Sequence, residues 1–137
     1  MIWFQSFRRK QHGQAVVEMA LVLPILIMLI FGIVEFGRIL NTYMIVTNLS
    51  REGAREGAVG GTDAEIISAV QLGTNANQLN AGNLTITIDP TAAGPRARGS
   101  SVGVEVSYPV DIIAPVIGNI IGDPYVVTSQ TTMRVEG

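Results

Sequence analysis

The residues with chemistry to offer stand at the start of the chain. Gly13-Gln14-Ala15-Val16-Val17-Glu18 runs directly into Met19 to Val34, 16 residues without a charge. A carboxylate at the edge of such a run is costly at hydrocarbon depth, so it is read as functional by default and needs a partner or a proton. Gly13, five residues before it, has two readings. It is either a loop glycine before a helix or a point where an extended chain enters a protease site, both uses that follow from a missing Cβ. Arg8-Arg9-Lys10 precede it and set the expectation of an N-terminus held in the cytoplasm.

Little else in the chain offers catalysis. There is no cysteine, so thiolate nucleophiles, disulfides and a lipoprotein anchor are excluded. The single histidine, His12, lies before Gly13, which leaves residues 14–137 without one for a catalytic or metal site. No carboxylate pair or glycine-rich phosphate loop of recognisable spacing is present. We therefore expect no catalytic residues, no metal, no cofactor and no enzymatic activity. The chain has 9 basic and 11 acidic side chains. Three of the basic ones precede Gly13, which leaves 6 against 11 beyond it, a charge of −5. Nucleic acid, which calls for a basic face, is not an expected partner.

The elements that must position Glu18 follow from periodicity. The uncharged run falls slightly short of the ~20 residues that span a bilayer. Extended to Ala15 and Leu40 it suffices, provided Glu18 is paired or protonated. No small-residue cleavage motif follows the run, so a retained membrane helix is expected rather than a removed signal. Pro24 interrupts it, either as a flexible point or as a proline that membrane helices tolerate. Beyond Leu40 the helix has no stop before Gly60-Gly61. Ile39, Tyr43, Val46, Ser50, Gly53 and Gly57 recur at steps of three or four. A helix over 14–59 would be about 69 Å long. Arg51-Glu52-Gly53-Ala54-Arg55-Glu56-Gly57-Ala58 repeats a four-residue unit and sets Gly53, Gly57, Ala54 and Ala58 on one small-residue face for helix packing. The partner on that face is either the chain's own head or another subunit. Glu35 and Arg38 read as a surface pair, and Arg96 and Arg98 as solvated loop charges.

The remaining residues read as a small head. Thr62-Asp63-Ala64-Glu65 is a capping box opening a short helix with Gly73 as its stop. Leu84–Ile88, Val102–Tyr108 and Tyr125–Val135 alternate as strands. Between the last two, Asp111 is placed to cap a short helix. Its stripe of Ile112, Ile113, Val116, Ile117, Ile120 and Ile121 is expected to pack on the sheet, with a membrane-surface patch as the alternative. The fold class is α+β: a long N-terminal helix packed by its outer half on a three-stranded antiparallel sheet. The expected segments are a leader at 1–13, a transmembrane helix at 14–40, its extracytoplasmic continuation at 41–59 and a head at 60–137.

This sequence resembles the TadE-like family, pseudopilins of the bacterial Tad, or Flp, pilus. The resemblance is carried by Gly13 to Glu18 leading into Leu21-Val22-Leu23-Pro24, and by Gly32-Ile33-Val34-Glu35-Phe36-Gly37-Arg38 with Arg51-Glu52-Gly53-Ala54-Arg55. Weaker matches lie at 104–110 and 131–136. The resemblance implies cleavage by a prepilin peptidase between Gly13 and Gln14, and storage as a single-pass inner-membrane protein with its head outside the cytoplasm. It also implies assembly into a surface filament with other pilin or pseudopilin subunits on an inner-membrane platform. Glu18 would then meet the new amine of a neighbouring subunit's Gln14. Met19 stands where precursors of this system often carry an aromatic. Three functions stay open: a minor pseudopilin, the main filament subunit, or an uncleaved single-pass scaffold of an envelope complex.

Overall fold

The computed structural model describes residues 10–92 and 94–136. Arg8 and Arg9 of the basic leader lie outside the described residues. A single helix, α1 (Lys10–Ala58), dominates the molecule. At 1.5 Å per residue its 49 residues extend about 73 Å. It is followed by α2 (Asp63–Ala76), a 3-10 turn at Ala81–Asn83, β1 (Thr85–Asp89), β2 (Ser101–Val110), α3 (Pro115–Ile121) and β3 (Tyr125–Arg134). The strands form one antiparallel sheet in the order β1-β2-β3. Thr87 pairs with Glu105 and Glu105 with Gln130. The architecture is the expected α+β arrangement, a long apolar N-terminal helix on a three-stranded antiparallel sheet.

The sheet has two chemically distinct faces because side chains alternate along a strand. Ile88, Val102, Val104, Val106 and Val127 are buried beneath α1 and α2. Thr85, Thr87, Thr128, Gln130 and Thr132 point the other way and are exposed. Burying a valine or isoleucine is worth about 1.5–3 kcal/mol each, which makes this layer the main source of cohesion. On α1 the buried stripe is Thr42, Val46, Leu49, Ser50, Gly53, Ala54 and Gly57. Tyr43, which fits the same periodicity, instead lies on the exposed side, and Thr42 takes its place in the contact.

Two glycines set how close α1 comes to the sheet. A Cβ built on Gly53 would stand 2.8 Å from Val70 Cγ2 and 3.0 Å from Val104 Cγ1. One on Gly57 would stand 2.9 Å from both γ carbons of Val102. Val102 thus lies against Gly57 and Val104 against Gly53. Two strand residues rise about 6.6 Å, and four helix residues rise about 6 Å. The matched rises mean that β2 runs back alongside α1 in the opposite direction. At the far end, the N–H of Glu136 donates to the carbonyl of Ala58 at 2.8 Å, satisfying one of the last carbonyls of α1.

The capping box forms as expected. Thr62 Oγ1 accepts from the N–H of Glu65, and the Glu65 carboxylate accepts from the N–H of Thr62 at 2.8 Å. Those bonds favour the charged carboxylate and hold Glu65 below its ordinary pKa, the backbone bond most of all. Helix α2 does not stop at Gly73 but continues to Ala76. Gly73 faces Leu49 of α1, whose Cδ2 would lie 2.7 Å from an added Cβ, so this glycine serves packing rather than termination.

Candidate assembly stem and its junction with the head

Residues Gly13 to Phe31 of α1 are exposed on every side. Among the described residues α1 is the one helix long and apolar enough to cross a membrane, and none of its most apolar stretch is covered by the head. The expected site residues lie at its beginning. Gly13 is already within the helix, which starts at Lys10, and a Cβ there would meet nothing within 4 Å. The Gly13–Gln14 bond is therefore helical, and a protease that binds extended chain would have to unwind one turn to reach it. Gln14 Nε2 donates to Glu18 Oε1 at 3.4 Å, one helical turn away. Among the described residues Glu18 has no other hydrogen-bond partner, and it is exposed. The helix continues unbroken through Pro24, whose ring lines an apolar cleft described below.

Gly53 and Gly57 face the chain's own head, where they touch Ile66 and Val70 of α2 and Val102 and Val104 of β2. Ala54 is fully buried in the same layer, and Ala58 is half-buried beside it. The small-residue face is thus filled from within the chain. Ser50 adds a polar seam to this contact. Its hydroxyl lies 2.8 Å from Thr131 Oγ1 and donates to the carbonyl of Thr47 at 3.0 Å.

A second charged site, read from the sequence as a surface pair, is a pair whose carboxylate is buried while Arg38 stays partly exposed. Glu35 is 3% exposed. Its Oε1 accepts from Arg38 Nη1 at 2.6 Å, and its Oε2 accepts from the N–H of Ile113 at 3.3 Å. Arg38 Nη1 also donates to the carbonyl of Asp111 at 3.2 Å. Asp123 Oδ1 accepts from the N–H of Ile112 at 3.0 Å. Asp111 and Ile113 are thereby pinned to α1 where the sheet ends, and Ile112 between them is held by Asp123. Sequence reasoning missed this because the partners on α1 are more than 70 residues away. The usable signal was the one applied to Glu18: a carboxylate bordering an apolar run needs satisfying.

Three further expectations need correction. Asp111 does not cap α3. The helix begins at Pro115 after Ala114 with no side-chain cap, and Asp123 supplies the local carboxylate bond instead. The apolar stripe of this segment does not pack on the sheet. Ile112 and Ala114 are buried, whereas Ile113, Val116, Ile120 and Ile121 are exposed, and Ile117 approaches Gly32 of α1. Arg96 is not a solvated loop charge. It is buried and paired with Asp63, donates to the carbonyl of Pro90 at 2.6 Å, and ties the loop before β2 to the start of α2. Arg98 is exposed.

Among the described residues no group of three or more His, Cys, Asp or Glu side chains could hold a metal ion. The arrangement offers an uncovered apolar stem with one carboxylate near its tip, and a head locked to the stem's other half. No curated protein and no solved structure matches the chain. Residues 13–55 match the family model described as TadE-like protein, so over that stretch the chain is similar to the TadE-like family, the one the sequence resemblance named.

Proposed function

We propose that this chain is a structural pilin-like protein, a TadE-like minor pseudopilin of a Tad-type pilus. It is stored in the inner membrane by its stem, processed by a prepilin peptidase between Gly13 and Gln14, and assembled through α1 with other pilin or pseudopilin subunits at a membrane platform. The head lies outside the cytoplasm. The observation that carries this reading is the bare stem. From Gly13 to Phe31 its apolar surface is left exposed by the described residues, so lipid or the helices of other subunits must cover it, and the transfer from one to the other is assembly. Glu18 fits that transfer. Near the headgroups it is hydrated, while among packed helices it needs a cation. The amine that cleavage would free at Gln14 stands about 6 Å along the axis, so a small axial offset brings one subunit's amine to its neighbour's carboxylate.

Glu18→Gln keeps the shape and removes the charge. Insertion and cleavage should persist, because a neutral residue enters the bilayer more readily. Incorporation into sheared filaments should fall sharply, since a buried amine without a partner is strongly destabilising. Normal levels of the variant in sheared filaments would rule the pairing out. N-terminal sequencing of the same fractions separates the other roles. A start at Gln14 in abundant filaments would indicate the main subunit, and the same start at trace level a minor one. The helical Gly13–Gln14 bond favours one further reading, an uncleaved single-pass scaffold of an envelope complex, which a start at Met1 found only in membranes would establish.

A further inference from the structure

The segment 112–122 reads Ile-Ile-Ala-Pro-Val-Ile-Gly-Asn-Ile-Ile-Gly, with no charge and one polar side chain, Asn119. On a head whose outer sheet face is threonine and glutamine, it leaves Ile113 at 66%, Val116 at 51% and Ile120 at 72% exposure. Its position follows from a register along α1. Val102 lies at Gly57, Val104 at Gly53, the Asp111 carbonyl at Arg38, the Ile113 N–H at Glu35, and Ile117 at Gly32. Each step down the head is a step down the helix, so α3 lies past the sheet, beside the uncharged part of the stem. Between them is an open cleft of about 700 Å³ lined by Leu23, Pro24, Ile27 and Phe31 of α1 and by Val116 and Ile117 of α3.

We infer that α3 is a second membrane element, a short wedge that dips into the hydrocarbon of the head-side leaflet while acyl chains fill the cleft against the stem. This rests on the reading that α1 spans the membrane. Given that, α3 shares the layer of the lipid-facing residues it adjoins. Two features fit it for hydrocarbon rather than water. Backbone groups in lipid must find partners within the protein. Here the N–H groups of Ile112, Ile113, Ile117, Gly118 and Gly122 are taken by Asp123, Glu35, Ala114, Ala114 and Gly118. Charged groups flank the segment without entering it: Asp111 and Asp123 at its ends, with Glu35 and Arg38 above. Phe36, Tyr43 and Tyr125 are exposed at that same level, where aromatic rings favour a membrane interface.

The chain has no cysteine, so single cysteines report position directly. Ile120→Cys is compared with Leu29→Cys on the stem and Gln130→Cys on the polar sheet face, each in the full chain in phosphatidylcholine vesicles. A water-soluble maleimide should label Ile120→Cys about ten-fold or more slower than Gln130→Cys, because a thiol in apolar surroundings resists forming the reactive thiolate. A fluorophore attached to the thiol of the Ile120→Cys variant should be quenched by lipids carrying a spin label on the acyl chain. Three outcomes overturn the inference. Rapid labelling of Ile120→Cys without quenching, while Leu29→Cys stays protected and quenched, places α3 in water and leaves the spanning reading intact. Protection of Ile120→Cys without lipid quenching means another protein copy covers it. Rapid labelling of Leu29→Cys without quenching removes the spanning reading itself, and the wedge with it.

Discussion

Helix α1 is one continuous rod in two different surroundings. From Met19 to Val34 its side chains are mostly large, apolar and exposed. From Glu35 to Ala58 it carries small residues, hydroxyls and ion pairs, and one side of it is sealed beneath valines of the sheet. The backbone is the same, so only the side chains decide what each half accepts as a neighbour. Bulk in the lower half is tolerated because the described residues pack little against it. Bulk in the upper half meets a close-packed layer that cannot. The lesson is that glycine in a helix has no fixed meaning. Even within the upper half, Gly37 on the uncovered side has nothing within 4 Å of an added Cβ, while Gly53, four turns further on and facing the head, has valine carbons at 2.8 and 3.0 Å.

That contrast can be broken most forcefully at the glycines. Gly53→Val should destabilise the head by about 3 kcal/mol through overpacking against Val70 and Val104. Gly37→Ala should instead stabilise the helix, by up to about 1 kcal/mol. Urea unfolding of the head in mild detergent, read by pulse proteolysis, gives both values, and equal effects at the two sites would collapse the distinction. Next comes the boundary itself. Glu35→Ala leaves the Ile113 N–H and Arg38 without their acceptor and should cost about 2 kcal/mol. Hydrogen exchange should then quicken at Ile113 while the amides of β2 from Val102 to Val106 stay protected. Uniform loss of protection would show that Glu35 supports the whole head rather than its junction. The smallest effect lies away from the stem, at the start of α2. Thr62→Ala should cost about 1 kcal/mol by loss of the cap. Glu65 is held below its ordinary pKa, so its contribution is fully present above the unfolded carboxyl's pKa and is lost as pH falls through the folded value. A pH titration of stability should show that acid loss in the parent, a loss only slightly smaller in Thr62→Ala, which keeps the backbone bond, and a flat curve in Glu65→Gln.

Much of the fold was legible because its signals are local. A helix expected over 14–59 spans Lys10–Ala58, and the three alternating runs became the three strands. The box at Thr62 closed as its spacing required. What escaped depends on contacts between distant residues. Arg96 looks like any loop arginine until Asp63, 33 residues earlier, is set beside it. The isoleucines of 112–121 declare that something apolar must cover them, but periodicity cannot say whether that is the sheet or the lipid. The small-residue face at 53–58 had two possible partners, and it took the positions of Val102 and Val104 to show its own head against it. At the stem the reverse holds. Gly13 and Glu18 stood out by sequence, and among the described residues the fold brings to them only the Gln14 side chain.

The alignment of β2 with α1 has a mechanical consequence. If, as proposed, such stems assemble into a filament, tension along its length would reach the head through a rod lying side by side with a strand. The load acts parallel to their contact, as in a lap joint, and not across it as in a peeling tape. Val102 and Val104, seated at successive turns of the rod, would have to slide past Gly57 and Gly53 together. Failure of such a joint is all or none, so the head should hold its shape under force until the whole contact gives way at once.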